Sequence, residues 1–174
     1  MMNLIVTCAR HLEGDTEDEL IDILDELGDS DVKISVSSMS GIITAETKLD
    51  PIQVVRKMKE MLLDEPWSIR YCLRVIPIER VIETGIEEIE KTISSMSSQI
   101  EEKESYRILI EKRNSDISSK EVITKVANKI KNKVSLDFPD KIILIEILGI
   151  ITGISIIKKS DILSLEKTKR SMSD

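Results

Sequence analysis

Aromatic side chains are almost missing from this sequence: Trp67, Tyr71, Tyr106 and Phe138 are the whole set. A surface that reads single-stranded bases by repeated stacking needs more than that. There is one histidine, His11, and only two cysteines, Cys8 and Cys72. Two cysteines make no disulfide framework, and both lie in apolar strand-like runs where a thiol behaves as a small hydrophobe. Cys8 and His11 form a Cys-x2-His pair, but the sequence holds too few further ligands to complete a zinc site. The six glycines are scattered, and none forms G-x-G-x-x-G or G-x-x-x-x-G-K-[ST], so no phosphate-cradling loop is encoded. No G-x-S-x-G elbow occurs, and one histidine leaves little room for a nucleophile–base pair. The reading is therefore no catalytic site, no metal and no cofactor.

Long apolar runs are missing too. The longest, residues 142–157, is broken by Glu146, Gly149, Thr152, Gly153 and Ser155, so no membrane-spanning helix is predicted. The N-terminus lacks a basic region and a small-residue cleavage site. The expected location is the cytoplasm.

Charge is abundant and uneven. The chain carries −7 in total, with 6 basic and 15 acidic residues in positions 1–66 against 19 basic and 17 acidic in 67–174. Residues 105–133 alone hold eight Lys or Arg against three Asp or Glu, a local charge of +5. Cations at a strand end, free N–H groups at a helix start and a lysine-lined helix edge can hold a phosphate backbone.

In the first half, Leu4–Cys8 reads as a strand. Thr16-Glu17-Asp18-Glu19 reads as a capping box before a helix with Leu20, Ile23, Leu24 and Leu27 inward and Gly28 as its stop. Val32, Ile34 and Val36 alternate with polar residues, and Gly41 turns the chain into a further strand at Ile42–Thr47. Asp50-Pro51 opens a second helix with Ile52, Val55, Met58 and Leu62 inward. A strand over Ile69–Ile78 closes a β-α-β-β-α-β order, the ferredoxin-like unit. The acidic helix face from Asp15 to Asp29 is either a solvated face or a docking surface for a basic protein partner.

In the second half, Thr84-Gly85-Ile86-Glu87 reads as a capping box for a helix carrying Ile86, Ile89, Ile93, Met96 and Ile100 on one face. Tyr106–Arg113 is a strand ending in two cations. Ser118-Ser119-Lys120-Glu121 is the cleanest capping box, with Val122, Ile123, Val126, Ala127 and Ile130 inward and Lys125, Lys129 and Lys133 recurring along one margin. Two strands, Ile142–Leu148 and Ile150–Ile157, follow, giving α-β-α-β-β. Residues 166–174 read as a flexible tail.

The run from Tyr106 to Ile157 resembles a THUMP domain, an RNA-binding module of tRNA-modifying proteins. The resemblance is carried by Lys112-Arg113 at the strand end, the Ser118-Ser119-Lys120-Glu121 helix start, Val134-x-Leu136-x-x-Pro139-Asp140, the strand Ile142–Ile147, and Gly153-Ile154-Ser155-Ile156. Upstream, Arg74-Val75-Ile76-Pro77-Ile78 looks like the entry to THUMP domains from an N-terminal ferredoxin-like domain. Ser135 stands where an Asp is common, and Phe138 where an Asn commonly precedes the proline. The resemblance implies an α+β fold: a ferredoxin-like βαββαβ domain over 1–79, an α/β THUMP-like domain over 80–165, and the tail.

It further implies a non-catalytic, tRNA-binding adaptor that presents tRNA to a separate acetyltransferase for cytidine acetylation in the D-arm. The expected partners are the acceptor stem and 3′ end of tRNA and that acetyltransferase, with no membrane. The residues that would hold RNA are Lys112, Arg113, Ser118, Ser119, Lys120, Lys125, Lys129 and Lys133. The alternative is a protein-interaction module that does not bind RNA.

Overall fold

The computed structural model describes residues 1–173, which form two compact units. One comprises Met1–Ile78 together with the chain from Ser160 onward, the other Glu79–Lys159.

The first unit is built from β1 (Leu4–Thr7), α1 (Glu13–Leu27), β2 (Lys33–Val36), β3 (Ile42–Glu46), α2 (Pro51–Asp64) and β4 (Arg74–Pro77). The strands pair antiparallel in the order β2-β3-β1-β4, the ferredoxin-like arrangement expected of βαββαβ. Leu20, Ile23 and Leu24 of α1 and Val54, Val55, Met58 and Leu62 of α2 meet Leu4, Val6, Ile43 and Val75 in one core. Gly28 ends α1 in the left-handed region at φ 116. Asp50 caps α2 by accepting from the N–H groups of Ile52 and Gln53.

Two boundaries differ from the sequence reading. Helix α1 begins at Glu13 rather than after Thr16, whose hydroxyl is buried and donates back to the Leu12 carbonyl at 2.6 Å. Strand β4 begins at Arg74 rather than Ile69. The reason is Glu19: its carboxylate accepts the backbone N–H groups of Arg70, Tyr71 and Cys72 at 2.8, 3.0 and 2.9 Å. Those donors are thereby taken from any sheet ladder. The Cys72 thiol, pushed well above its ordinary value by burial and by Glu19, stays protonated beside this carboxylate.

The second unit opens with a strand that the sequence reading missed, β5 (Arg80–Glu83). It continues with α3 (Ile86–Met96), β6 (Tyr106–Arg113), α4 (Ser119–Lys129), β7 (Lys141–Leu148) and β8 (Ile151–Ile157). The sheet order is β5-β8-β7-β6, with β6 and β7 parallel and the other pairs antiparallel. Ile89, Ile93 and Met96 of α3 and Val122 and Val126 of α4 pack with Ile143, Ile145, Ile147, Ile154 and Ile156 of the sheet. Gly85, not Thr84, caps α3; the Thr84 hydroxyl is shared with that of Thr152 at 2.8 Å instead. Glu146, the one acid inside the apolar strands, is buried across from Gly153.

The chain then returns to the first unit. Strand β9 (Leu163–Ser164) pairs antiparallel with β4, and α5 (Leu165–Met172) packs on α2. Of the expected flexible tail, residues 166–172 are therefore helical, and Asp174 lies outside the described residues. Leu163 and Leu165 are buried in the first unit's core, the Arg56 guanidinium meets Asp161 at 3.2 Å, and the Lys59 ammonium meets the Ser160 carbonyl. Ser164 caps α5 by accepting from the Lys167 N–H. Among the described residues no helix is long and apolar enough to cross a membrane.

Glu19→Ala should cost about 2–4 kcal/mol, since hydrogen bonds to a charged acceptor contribute roughly 1.5–3 kcal/mol each and the freed N–H groups regain some water. Glu19→Gln should lose less, because its amide oxygen still accepts. Urea unfolding followed by circular dichroism measures both; equal losses in the two variants would discount the clamp.

Candidate nucleic-acid interface

Residues 112–120 lie at one end of the sheet because of the way β6 is followed by α4. Parallel pairing of β6 with β7 requires the chain to cross back over the sheet, and α4 makes that crossing. The start of α4 thus sits beside the end of β6. Asn114, in the left-handed region at φ 53, turns the chain out of the strand. The Lys112 ammonium reaches over the turn to the Ile117 carbonyl at 2.9 Å, and the Ser115 hydroxyl accepts from the Ile117 N–H at 3.3 Å. Ser118 then caps α4, its hydroxyl accepting from the Glu121 N–H at 3.2 Å. The N–H groups of Ser119 and Lys120, in the first turn, have no intrahelical acceptor and face outward with the positive end of the helix dipole.

Lys112, on the face of β6 that Tyr106, Ile108 and Ile110 turn toward the helices, lies beside Ser118, Ser119 and Lys120 at the start of α4, whereas Arg113, the next residue, alternates to the opposite face of the sheet at the same strand end. The Arg113 carbonyl also accepts from the Gly149 N–H at 2.8 Å, which sets the β7–β8 hairpin against it. Ile150 projects from that hairpin, 86% exposed. Because β5 runs parallel to β6 and β7, Thr84 and Gly85 at the start of α3 lie at this same end. Sequence reading missed Asn114, Gly149 and Ile150. An isolated Asn and a single Gly were the only local signals, and only strand pairing sets them beside the cations. Glu111, Asp116 and Glu121 lie in the same stretch, so these cations act at contact range rather than through a wide field.

The other lysines are placed differently. Lys125 and Lys129 line a groove between α3 and α4 with Glu87, Glu90, Lys91 and Ser94, and Lys129 meets Glu90 at 3.6 Å. A partner that is missing within α4 is thus supplied by α3. Lys133 is not on the helix at all. Helix α4 stops at Lys129, Ile130 turns extended (φ −110, ψ 118) and is buried, and the Asn132 amide donates to the carbonyls of Glu101 and Glu104 at 2.8 and 3.0 Å. The Lys133 carbonyl then accepts from the Tyr106 N–H at 3.0 Å, at the start of β6 rather than its end.

The turn that follows keeps its hydrogen bonds despite the departures at Ser135 and Phe138. The Ser135 hydroxyl accepts from the Phe138 N–H at 3.2 Å, and the Asp140 carboxylate accepts from the N–H and hydroxyl of Ser105 at 2.8 and 3.1 Å. Those bonds hold the Asp140 carboxyl below the usual aspartate value. Among the described residues no group of three or more His, Cys, Asp or Glu is placed to hold a metal ion.

Residues 83–157, all in the second unit, match the THUMP domain family, so that unit carries a THUMP domain, an RNA-binding module of tRNA-modifying enzymes. No curated protein matches the chain. Among solved structures, PH1313 from Pyrococcus horikoshii Ot3 shares 20% identity over 91% of this chain and 55% of its own, at a TM-score of 0.61. TrmN from Thermus thermophilus shares 14% over 90% of this chain and 45% of its own, also at 0.61. A 4-thiouridine synthetase solved with RNA and ATP shares 11% over 91% and 42%, at 0.51. At these identities the likeness is one of fold, and this chain spans about half the length of the structures it matches.

Ser118→Ala should cost about 1 kcal/mol, the usual worth of a helix N-cap, with Ser118→Asp restoring most of it. Thermal unfolding of the two variants checks this, and an unchanged midpoint in the alanine variant would show that the cap does not hold the α4 start in place.

Proposed function

We propose that this protein is a non-catalytic tRNA-binding adaptor that presents tRNA to a separate cytidine acetyltransferase acting on the D-arm. The observation that supports the reading is that one end of the THUMP domain's sheet carries two strand-end cations, one on each face, with a serine-capped helix start and Lys120 beside Lys112. Lys112, Arg113 and Lys120 would pair with phosphates of the acceptor stem and 3′ end, and the N–H groups of Ser119 and Lys120 would add hydrogen bonds to the same oxygens. Lys125 extends the contact along α4, whereas Lys129 shares its charge with Glu90 and Lys133 lies at the other end of β6. Recognition of this kind reads backbone and shape rather than base sequence. The fold shared with a synthetase solved together with RNA supports the RNA half of the proposal. A cytoplasmic location accords with it.

The acetyltransferase half needs a second surface. A groove in the first unit is lined by Asp15, Asp18, Asp22 and Glu26 of α1 and by Asp64 and Glu65 near the end of α2. Such a surface suits a basic protein partner and repels RNA, so the two partners are kept apart by charge.

The test is a titration of tRNA against the Lys112→Ala/Arg113→Ala/Lys120→Ala variant across salt concentrations. Each lost phosphate contact lowers the salt slope by about 0.7–0.9, so the triple variant should bind more weakly with a slope reduced by about 2–3. Unchanged affinity and slope would sink the assignment, leaving a protein-interaction module as the reading. Reversing Asp18, Asp22 and Glu26 to lysine should abolish co-purification with the acetyltransferase and leave tRNA affinity undiminished; loss of tRNA binding in that variant would contradict the division of surfaces.

A further inference from the structure

The chain has a single phenylalanine, and its ring is left in water: Phe138 is 89% exposed. Leu136 and Val134, from the same loop, are 65% and 51% exposed. Folding normally hides such residues, so a fixed, protruding aromatic marks a contact surface. This loop is fixed. The Ser135 N–H donates to the Tyr106 carbonyl at 2.9 Å, the Phe138 N–H donates to the Ser135 hydroxyl, and the Arg107 guanidinium donates to the Leu136 carbonyl at 3.2 Å. Pro139 restricts the backbone of Phe138 from the other side. The ring is therefore held ready before any ligand arrives, and its ordering cost is already met.

The charges around it favour a polyanion. Arg107, Lys131 and Lys133 are all exposed, and none has a carboxylate within ion-pair distance among the described residues. Of the nearby acids, Asp140 is engaged by Ser105 and Glu104 by the Lys141 ammonium at 3.0 Å, while Glu101 and Glu102, next to Asn132, are exposed. Asp137 alone stays free within the stretch from Lys131 to Asp140. An apolar protein pocket would bury Val134, Leu136 and Phe138 but would leave three cations to be desolvated. An unpaired nucleotide supplies a flat π face and phosphates together.

We propose that the Val134–Phe138 loop is a second RNA contact that takes an unpaired nucleotide, Phe138 stacking on its base while Arg107, Lys131 and Lys133 meet the flanking phosphates. It rests on the reading of this chain as an RNA-binding protein. Tyr106 and Arg113 mark the two ends of β6, so the stacking point and the phosphate-holding end are roughly 23 Å apart at the rise of a β-strand. The domain thus touches RNA at two points of different chemistry. One end takes the phosphate backbone, and the other takes only a base that is free to leave its stack. Because every base has a π face, the second contact selects unpaired structure rather than sequence.

The experiment uses the full chain with three fluorescein-labelled probes: an oligouridylate, a blunt-ended RNA duplex and unfractionated tRNA. Phe138→Ala should weaken oligouridylate binding about 5- to 150-fold, the factor set by one lost base stack, with the salt slope and duplex affinity unchanged. Phe138→Trp should restore the affinity. The side chain is exposed, so neither change should alter the circular dichroism spectrum. Equal oligouridylate affinity in the parent and Phe138→Ala overturns the proposal, and so does a loss shared equally by oligouridylate and duplex. A Phe138→Ala variant that binds all three probes normally but sediments as a smaller species overturns it too, assigning the loop to a contact between copies of the chain. Failure of the parent to bind any probe removes the RNA reading itself. Loss of tRNA binding by the Lys112/Arg113/Lys120 variant, with Phe138→Ala unaffected, removes only the stacking contact.

Discussion

The parallel pairing of β6 with β7 is the constraint on which the second unit turns. Antiparallel strands can follow each other through a two-residue turn, as β7 and β8 do at Gly149 and Ile150, but parallel strands cannot. The chain must climb out of the sheet, cross one face and re-enter beside its starting point. Helix α4 makes that crossing, and its apolar stripe, Val122 and Val126, is held by the same isoleucines that β7 and β8 turn toward the helices. The direction of the crossing puts the end of β6 and the start of α4 together. Two positive elements of different origin, the Lys112 ammonium and the backbone N–H groups of the helix start, thereby sit at one end of the sheet. Neither could be moved without losing the sheet.

The first unit is governed by a single carboxylate. Glu19 holds three consecutive N–H groups of the segment before β4 and so decides where the strand begins. Asp29 does related work after α1. Burial alone would raise its carboxyl, but hydrogen bonds from the Thr47 hydroxyl at 2.6 Å and from the Lys48 and Asp31 N–H groups keep it below the usual value and ionised. Much of the acidity in this half is therefore structural at particular positions, while Asp15, Asp18, Asp22 and Glu26 line the open groove.

These details separate what the sequence shows from what it hides. Helices announced themselves through apolar spacing and caps, and Asp50, Ser118 and Gly28 all do what their residue types suggest. The strand-end cations and the capped start of α4 were legible because they are neighbours in sequence. Lys133 was misplaced because the four-residue rhythm of lysines outlasts the helix; what ends the helix is burial of Ile130 and the reach of Asn132 to a distant loop, and neither leaves a local trace. The same holds for α5. Its polar, basic sequence reads as a tail until Leu163 and Leu165 find a core and Arg56 finds Asp161, a partner 105 residues away. Phe138 stood out as a departure from the family pattern, yet its exposure could be known only once the turn had closed.

The order of segments along the chain has a temporal meaning. The second unit is continuous, from Glu79 to Lys159, whereas the first is split around it. A ribosome delivering this chain supplies everything the THUMP domain needs before it supplies β9 and α5. Until then β4 is bare on the side that β9 will cover, and an uncovered strand edge is a template for unwanted pairing. The usual rule that the N-terminal body folds first is here reversed for completion. The second unit closes on itself while the first still waits for β9.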